Sequence, residues 1–363
     1  MAEDEDDTIE FCTLGMFIID DIHFPPPKPS VMDILGGAGT YSALGARLFS
    51  PEPMSRKVGW VVDAGSDFPN QIRETIKRWN TSCVIRETPE RLTTRGWNEY
   101  GEGEKRAFKY LTPKLRLDHH ALTSSHLAAK SFHLICSPKR CIDLIKGILA
   151  SRRALDSTQQ RSHHRPLFLW EPVPDLCLPS EIDNCREALT YVDVVSPNHS
   201  ELGGFFDATM TYPQTEEVDR KSVEKYANRW LDGGVGVEGQ GAVVVRSGKS
   251  GSFLTTRETS RWFPAYHGPL MLEADGAKVV DPTGGGNAFL GGFAIGLVRG
   301  SQGKPSDKLE NAMIYGSVAA SFAIEQIGMP ELGHDESGER WNGVDVSDRV
   351  KEYRVALAEY VEQ

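Results

Sequence analysis

The stretch that decides the fold runs from Val279 to Phe293 and reads VVDPTGGGNAFLGGF. A short apolar run meets an acid and three successive glycines, and a segment that is apolar on nearly every side follows them. Glycine lets backbone amides converge because it has no Cβ, and the amino end of a helix carries about half a positive charge. The stretch therefore predicts a strand, a turn and a helix whose first amides bind an anion such as a phosphate. A turn that serves only close packing is the alternative interpretation.

The length and composition of the chain are typical of a globular protein. It has 363 residues, 39% of them hydrophobic and 25% charged, with a formal charge of −11. A chain of this kind can bury a sizeable core, which excludes disordered, collagen-like and disulfide-scaffold proteins. The acidic surplus, without a basic stripe, argues against a nucleic-acid partner. The longest apolar stretch, Ala288 to Val298, is far shorter than the ~20 residues of a membrane span, so we expect no membrane segment.

The six cysteines carry information about the compartment. They form no CxxC pair and have no histidine partner at zinc-finger spacing. We therefore interpret them as reduced thiols and expect a cytoplasmic protein.

Strand-like runs alternate with helical stretches along most of the chain. The apolar run from Phe11 to Ile19 predicts a strand buried on both faces, and residues 40–48 predict a helix of small residues that follows a glycine turn. Further predicted strands cover residues 57–62, 82–86, 131–136, 167–170, 192–195 and 241–246. This alternation predicts an α/β fold with a mostly parallel sheet covered on both faces.

Residues 91–111 depart from this alternation. Residues 91–100 and 105–111 alternate polar with aromatic or aliphatic side chains, and Gly101-Glu102-Gly103-Glu104 separates them. The pattern predicts an antiparallel hairpin, which we interpret as a lid over a site. A hairpin without a function is the alternative interpretation.

The two ends of the chain are predicted to be tails. Residues 1–7 are an acidic run with nothing to bury, so we expect a disordered, solvated segment. One domain is expected over residues 8–332 and a C-terminal tail over 333–363. In that tail Ser347 is predicted to cap an amphipathic helix. The apolar residues at helical spacing after it are Val350, Tyr353, Leu357 and Val361.

Several short motifs, in their order along the chain, resemble the pfkB, or ribokinase-like, family of sugar and nucleoside kinases. Residues 281–287 resemble its DTTGAGD box, residues 36–39 its double-glycine box, and Asp20 its acidic substrate residue. The other similar segments are 170–174 for D-x-N-x-R, 198–201 for N-x-x-E and 245–251 for T-x-G-x-x-G. The glycine run and Asn287 are most similar to a divergent fungal branch, the killer-maintenance type.

The resemblance covers roughly residues 10–330 and implies a ribokinase-like three-layer sandwich with a small β lid. It also implies transfer of the γ-phosphoryl of ATP to a hydroxymethyl group of a sugar or nucleoside, with Mg²⁺. Asp20 would accept hydrogen bonds from substrate hydroxyls. The remaining residues implied on the substrate side are Gly36, Gly37, Gly39 and Tyr41.

On the nucleotide side, the resemblance assigns the glycines of the turn, Gly284, Gly285 and Gly286, to catalysis. Asn198 and Glu201 would lie near the magnesium ion and its waters. The residues implied to face the nucleotide are Ser247, Gly248 and Gly251. Asp281 and Thr283 would shape the loop and, in family members that use one, hold a monovalent cation such as K⁺.

Four positions depart from the family pattern, and Asn287 matters most. The kinases have an aspartate there that acts as general base, whereas an amide has no basic lone pair. Such a base contributes ~10²–10⁴-fold to the rate. The other departures are Tyr41 for an asparagine, Glu171 for the strand-end aspartate and Arg246 for a small residue.

Two hypotheses stay open from these departures. One is an attenuated kinase, because positioning and charge stabilisation dominate phosphoryl transfer. The other is a kinase-fold binding or regulatory protein that keeps ligand recognition without transfer. A dinucleotide-binding oxidoreductase is disfavoured, because no G-x-G-x-x-G follows the first strand. The partner expected is a small sugar or nucleoside. The hairpin at residues 91–111 is expected either to pair edge-to-edge with a second copy of the chain or to close alone over the site.

Overall fold

The structure, a computed structural model, describes residues 8–100, 106–159, 164–215, 217–268, 278–300 and 305–362. Within these ranges the strands are β1 (Phe11–Thr13), β2 (Ile18–His23), β3 (Val31–Gly36), β4 (Val58–Gly65), β5 (Ser82–Thr88), β6 (Arg95–Tyr100), β7 (Arg106–Tyr110), β8 (Ser131–Cys136), β9 (Leu167–Pro172), β10 (Val194–Val195), β11 (Ala242–Arg246), β12 (Ser252–Thr255), β13 (Ser260–Phe263), β14 (Leu332–Asp335) and β15 (Gly338–Trp341). The helices are α1 (Ala38–Leu48), α2 (Asn70–Arg78), α3 (Ser124–Leu127), α4 (Pro138–Gln159), α5 (Ile182–Leu189), α6 (His199–Gly204), α7 (Arg220–Asp232), α8 (Gly285–Arg299), α9 (Pro305–Ile324) and α10 (Val346–Glu362).

A nine-stranded sheet forms the middle layer, in the order β13-β12-β11-β10-β9-β8-β1-β4-β5. The strands from β11 to β5 are parallel, and β12 and β13 extend the sheet antiparallel to β11. The α/β prediction with a mostly parallel sheet is therefore confirmed.

Side chains alternate across this sheet into two separate cores. In β11, Ala242 and Val244 pack with α1, α8, α9 and α10, whereas Val243 and Val245 pack with α4, α5 and α7. This alternation is the period of two that a strand buried on both faces requires. The parallel strands point their carboxyl ends toward one edge, and there the loops that follow β9, β10 and β11 lie side by side.

A second, four-stranded sheet stands apart from the first, in the order β3-β2-β6-β7. The hairpin predicted around residues 101–104 is present as antiparallel β6 and β7, and its tip at 101–105 lies outside the described residues. The single strand predicted from Phe11 to Ile19 is wrong. The chain leaves the central sheet after β1 and enters the small sheet as β2, because an apolar run does not tell where a chain changes sheets.

The C-terminal helix docks as its spacing predicts. Tyr353 and Leu357 of α10 are almost fully buried in the core that also contains α8 and α9. The predicted N-cap is wrong by two residues, since Asp345 accepts hydrogen bonds from both the amide and the hydroxyl of Ser347. The acidic tail at residues 1–7 lies outside the described residues.

All six cysteines carry free thiols, which confirms that they form no disulfide. Among the described residues, no helix combines the length and the apolar character that crossing a bilayer requires.

Candidate functional site

The glycine turn leads into α8 at the carboxyl edge of the central sheet. Gly284 is the N-cap residue and has a φ of +77°, a left-handed conformation that favours glycine. The Oδ1 atom of Asp281 accepts the amide of Thr283 at 3.0 Å, which closes the loop before the turn. The first hydrogen bond of the helix runs from the Ala288 amide to the Gly284 carbonyl at 2.8 Å. The amides of Gly286 and Asn287 therefore precede the helical ladder, as anion binding requires.

The same glycines also admit close packing. A Cβ on Gly284 would lie 2.2 Å from the ring of Tyr41, and one on Gly285 would lie 2.7 Å from a methyl group of Ile324. On Gly286 it would lie 2.2 Å from Nη1 of Arg246. The glycines therefore serve close packing, and anion binding by the first amides of the helix stays a prediction.

Arg246, which lies against Gly286, is the centre of a buried polar cluster. Arg246 ends β11, and its Nη2 lies 2.9 Å from Oε1 of Glu171 on β9. The same nitrogen donates to the Ser196 carbonyl at 2.9 Å and lies 3.5 Å from Oε2 of Glu201. We call this group, with Asn287, the Arg246 cluster.

The second carboxylate oxygen of Glu171 accepts two further hydrogen-bond partners. Asn287 donates from Nδ2 at 2.8 Å, and Nε2 of His133 lies 3.2 Å away. Burial alone would raise the pKa of Glu171, but Arg246 and these hydrogen bonds together hold it below its usual range. Glu171 is therefore an ionised carboxylate whose two oxygens are both engaged. Three of the four departures from the family pattern thus meet, because Arg246 and Asn287 both contact Glu171.

Asn198 and Glu201 form a capping box at the start of α6. The Asn198 side chain accepts the Glu201 amide at 2.8 Å, and the Glu201 carboxylate accepts the Asn198 amide at 2.7 Å. Burial raises the pKa of Glu201 to about 7, and the nearby Arg246 opposes that rise. Arg246 links this pair to the glycine turn, because it lies 3.5 Å from Glu201 and against Gly286.

The loop after β11 contains the three residues implied to face a nucleotide. Gly248 has a φ of +54°, and a Cβ there would meet open space. Gly251 has a φ of +87°, and a Cβ there would lie 2.0 Å from the Phe263 carbonyl, so its role in the loop is packing. The hydroxyl of Ser247 and Nε of Arg246 are buried and have no hydrogen-bond partner among the described residues.

Asp20 lies on β2 of the small sheet, and it is buried. Its Oδ1 accepts Nδ2 of Asn98 at 3.0 Å, and the amide of Gly37 donates to it as well. Burial raises the pKa of Asp20 from its usual value near 3.8 to about 7. Gly36 leaves room for this carboxylate, because a Cβ there would lie 1.9 Å from Oδ2 of Asp20.

Two aromatic residues of β7, Phe108 and Tyr110, lie near Asp20. Phe108 lies beside Gly96, where a Cβ would approach its ring to 2.7 Å, and it packs edge-to-face on Tyr110 at 4.8 Å between ring centroids. Burial and the charge of Asp20 raise the pKa of Tyr110. Tyr110 and Phe108 therefore present aromatic surface close to a carboxylate.

The double-glycine box links Asp20 to the glycine turn through α1. Gly37 has a φ of +89° and is the N-cap of α1, and Gly39 lies against Gly15, whose carbonyl oxygen would be 2.1 Å from an added Cβ. This close approach sets the position of α1, and α1 presents Tyr41 to Gly284. Tyr41 is buried, and its ring packs against the glycine turn.

Sequence reasoning missed two residues that contact Asp20 and Glu171. Asn98 is one of the polar residues of the alternating hairpin, and that alternation was its only signal. His133 is a polar residue inside the otherwise apolar strand β8, where it is fully buried. A buried polar residue in an apolar strand implies a hydrogen-bonded partner, which here is Glu171.

The residues present fit an anion better than they fit Mg²⁺. The free amides of the turn and the unpartnered donors of Arg246 and Ser247 suit the phosphates of ATP. Mg²⁺ prefers oxygen ligands and one or two carboxylates. Here Glu171 and Glu201 are paired with a guanidinium, and among the described residues no group of three or more His, Cys, Asp or Glu could hold a metal. For K⁺, Asp281 and Thr283 lie together in the loop, and their role stays a prediction.

Comparisons with known proteins agree with this architecture. The chain is 33% identical over 363 residues to an uncharacterised protein of Schizosaccharomyces pombe, covering 97% of this chain and 94% of that one. It is 34% identical over 356 residues to protein MAK32 of Saccharomyces cerevisiae, with 94% and 91% covered. The structure of ribokinase from Giardia lamblia superimposes with a TM-score of 0.66 at 16% identity, covering 97% and 99% of the two chains. The profile of the pfkB family carbohydrate kinases matches residues 34–331, and the chain therefore belongs to this family.

Proposed function

We propose that this protein binds ATP and a small sugar or nucleoside, and that it transfers the γ-phosphoryl to a hydroxymethyl group only slowly. The observation that carries the proposal is the contact of Asn287 with Glu171. An amide stands at the start of α8 where the family has a general base, and it donates its N–H to a carboxylate. Phosphate binding is kept, and activation of the acceptor hydroxyl is lost.

Glu171 does not replace the missing base. A general base needs a free lone pair and a pKa near the working pH. Both oxygens of Glu171 accept hydrogen bonds or pair with Arg246, and its pKa lies below the usual range. Slow turnover would then rest on positioning and on charge stabilisation by the turn.

The residues around Asp20 support a polyhydroxylated acceptor. A carboxylate accepts hydrogen bonds from two neighbouring hydroxyls, and Asn98 adds an amide beside it. Phe108 and Tyr110 offer aromatic faces on which a sugar ring or a nucleobase can pack. These features support a sugar or nucleoside over an acidic or purely apolar acceptor.

The test combines binding with turnover. Addition of ATP should raise the melting temperature, because a ligand that binds only the native state stabilises it. Phosphoryl transfer is then measured against a panel of sugars and nucleosides, for the native protein and for the double variant Asn287→Asp/Glu171→Gln. The double variant restores an acid at 287 without placing two carboxylates together. We expect it to exceed the native protein by about 10²–10⁴-fold.

The matched control for this test is Glu171→Gln alone, which alters the same contact and adds no base. It should show no gain in turnover. Native turnover that equals that of the double variant would contradict the attenuation, and absence of any ATP-induced shift would contradict the binding site itself.

A second candidate function is a binding or regulatory protein without transfer. The packing of Tyr41 on Gly284 favours it, because the ring lies directly against the turn proposed to bind phosphate. In that case the double variant would bind ATP and sugars but gain no turnover.

We also propose that two copies pair through the lid. Strand β7 is an edge of the small sheet, and Phe108 and Leu111 expose about half of their side chains there. Light scattering after size exclusion should give a dimer mass, and Phe108→Lys should lower it to that of the monomer. A monomeric native protein would contradict this pairing.

A further inference from the structure

We propose that Arg246 takes the place of the divalent cation, so that this protein binds the polyphosphate of a nucleotide without Mg²⁺. This inference rests on the proposed nucleotide site and adds how its charge is balanced. It concerns Arg246, Glu171 and Glu201, which meet at the carboxyl ends of β9 and β11 and at the start of α6.

The position of Arg246 is fixed by several contacts. Nη2 bonds to Glu171 and to the Ser196 carbonyl, each at 2.9 Å, and the backbone amide of Arg246 donates to the Pro197 carbonyl at 3.0 Å. The other terminal nitrogen, Nη1, lies against Gly286 at the amino end of α8. The guanidinium thus stands between the two glutamates and the turn, and only about a tenth of the side chain is exposed.

Charge balance explains why this position excludes a second cation. The Arg246 guanidinium lies 2.9 Å from Oε1 of Glu171 and 3.5 Å from Oε2 of Glu201. It therefore already offsets negative charge at both glutamates. A divalent ion at the same carboxylates would face a buried positive charge at close range.

Two buried hydrogen-bond donors near the turn lack a partner among the described residues, and they indicate that an anion binds here. Nε of Arg246 and the hydroxyl of the neighbouring Ser247 are buried and have no hydrogen-bond partner among the described residues. Buried donors are satisfied in the great majority of cases, so two together call for an acceptor. A phosphate oxygen supplies one, and guanidinium–phosphate hydrogen bonds are short and strong. The amides of Gly286 and Asn287 add further donors beside it.

The test is calorimetric titration of the full chain with ATP, once in EDTA and once in millimolar Mg²⁺. For the native protein we expect dissociation constants that agree within about threefold, because the cation that meets the phosphates is part of the chain. Arg246→Ser introduces the small residue typical of the family. It should weaken binding in EDTA by about tenfold or more, and Mg²⁺ should restore it, since the two glutamates are then free to hold the ion.

Arg246→Lys covers the case in which the serine variant does not fold, because it keeps the charge that the two glutamates require. It should still bind ATP in EDTA, more weakly than the native protein, since lysine lacks the planar fork. Arg186→Gln is the control, because it removes a cation from an exposed pair with Asp183. It should behave as the native protein does.

The outcomes separate the inference from the proposal on which it rests. Native binding that requires Mg²⁺ would overturn the inference and leave the proposed nucleotide site intact. No binding of ATP in either buffer would overturn both.

Discussion

Asn287→Asp tests whether the contact with Glu171 governs this site. Nδ2 of Asn287 lies 2.8 Å from Oε2 of Glu171, so the variant would place two carboxylates at that distance. Two unit charges 2.8 Å apart repel by about 6 kcal/mol at an effective dielectric constant of about 20. Such a repulsion raises the pKa of the new carboxyl by roughly four, to near 8. This is an upper figure, because Arg246 offsets part of the repulsion.

The sign of the effect on stability follows from linkage. When a carboxyl has a higher pKa in the folded than in the unfolded state, the protein keeps its full free energy of unfolding below the unfolded pKa. The protein loses stability as the pH rises toward the folded pKa. The variant should therefore match the native protein near pH 4. It should lose about 1.4 kcal/mol per pH unit above that, or up to about 4 kcal/mol at pH 7.

Urea unfolding of the native protein and of the variant between pH 4 and pH 8 measures this slope. The double variant Asn287→Asp/Glu171→Gln is the control and should show a much flatter difference, because the second carboxylate is gone. If the free energy of unfolding of Asn287→Asp follows that of the native protein at every pH, the contact with Glu171 is not the constraint described here.

Three further predictions concern stability. Asp20→Asn should raise the free energy of unfolding by up to about 4 kcal/mol at pH 8 and leave it nearly unchanged at pH 4, because the raised pKa of Asp20 makes its ionisation unfavourable in the folded state. Urea unfolding at the two pH values measures this, and a difference independent of pH would contradict it. Gly286→Ala should lower stability by about 1–3 kcal/mol, because a Cβ would lie 2.2 Å from Arg246. Gly333→Ala, whose Cβ would meet nothing closer than 4.0 Å, is its control in the same unfolding assay, and equal losses would refute the clash. Tyr353→Phe removes a hydroxyl that donates to a buried backbone carbonyl and should cost about 1 kcal/mol by thermal denaturation, whereas an unchanged melting temperature would refute that role.

Much of the central sheet could be predicted from sequence, because its strands are short apolar runs bounded by turns. The strand predicted at residues 131–136 matches β8, and the one at 241–246 differs from β11 by a single residue. The small sheet was predicted only in part. Strand β3 begins with three exposed residues and contains Asp33 with a φ of +58°, so no hydrophobic period marks it.

The site could be predicted residue by residue but not as a set of contacts. Glu171, Arg246 and Asn287 were each recognised as departures from the family pattern. Their mutual contact was not predicted, because Asn287 lies 116 positions after Glu171 and the two meet only through the sheet topology. The engagement of Glu201 by Arg246 was missed for the same reason. Asn287, at the position that the resemblance assigns to a base, thus lies in a buried polar cluster with Glu171 and Arg246.

The proposed nucleotide site requires that the turn at residues 284–286 hold the terminal phosphate of a nucleotide. A crystal structure of the full chain with a non-hydrolysable ATP analogue would show whether this claim is correct. We predict the terminal phosphate within hydrogen-bond distance of the Gly286 and Asn287 amides and of the Arg246 guanidinium. A nucleotide bound elsewhere, or a phosphate that contacts none of these groups, would contradict the claim.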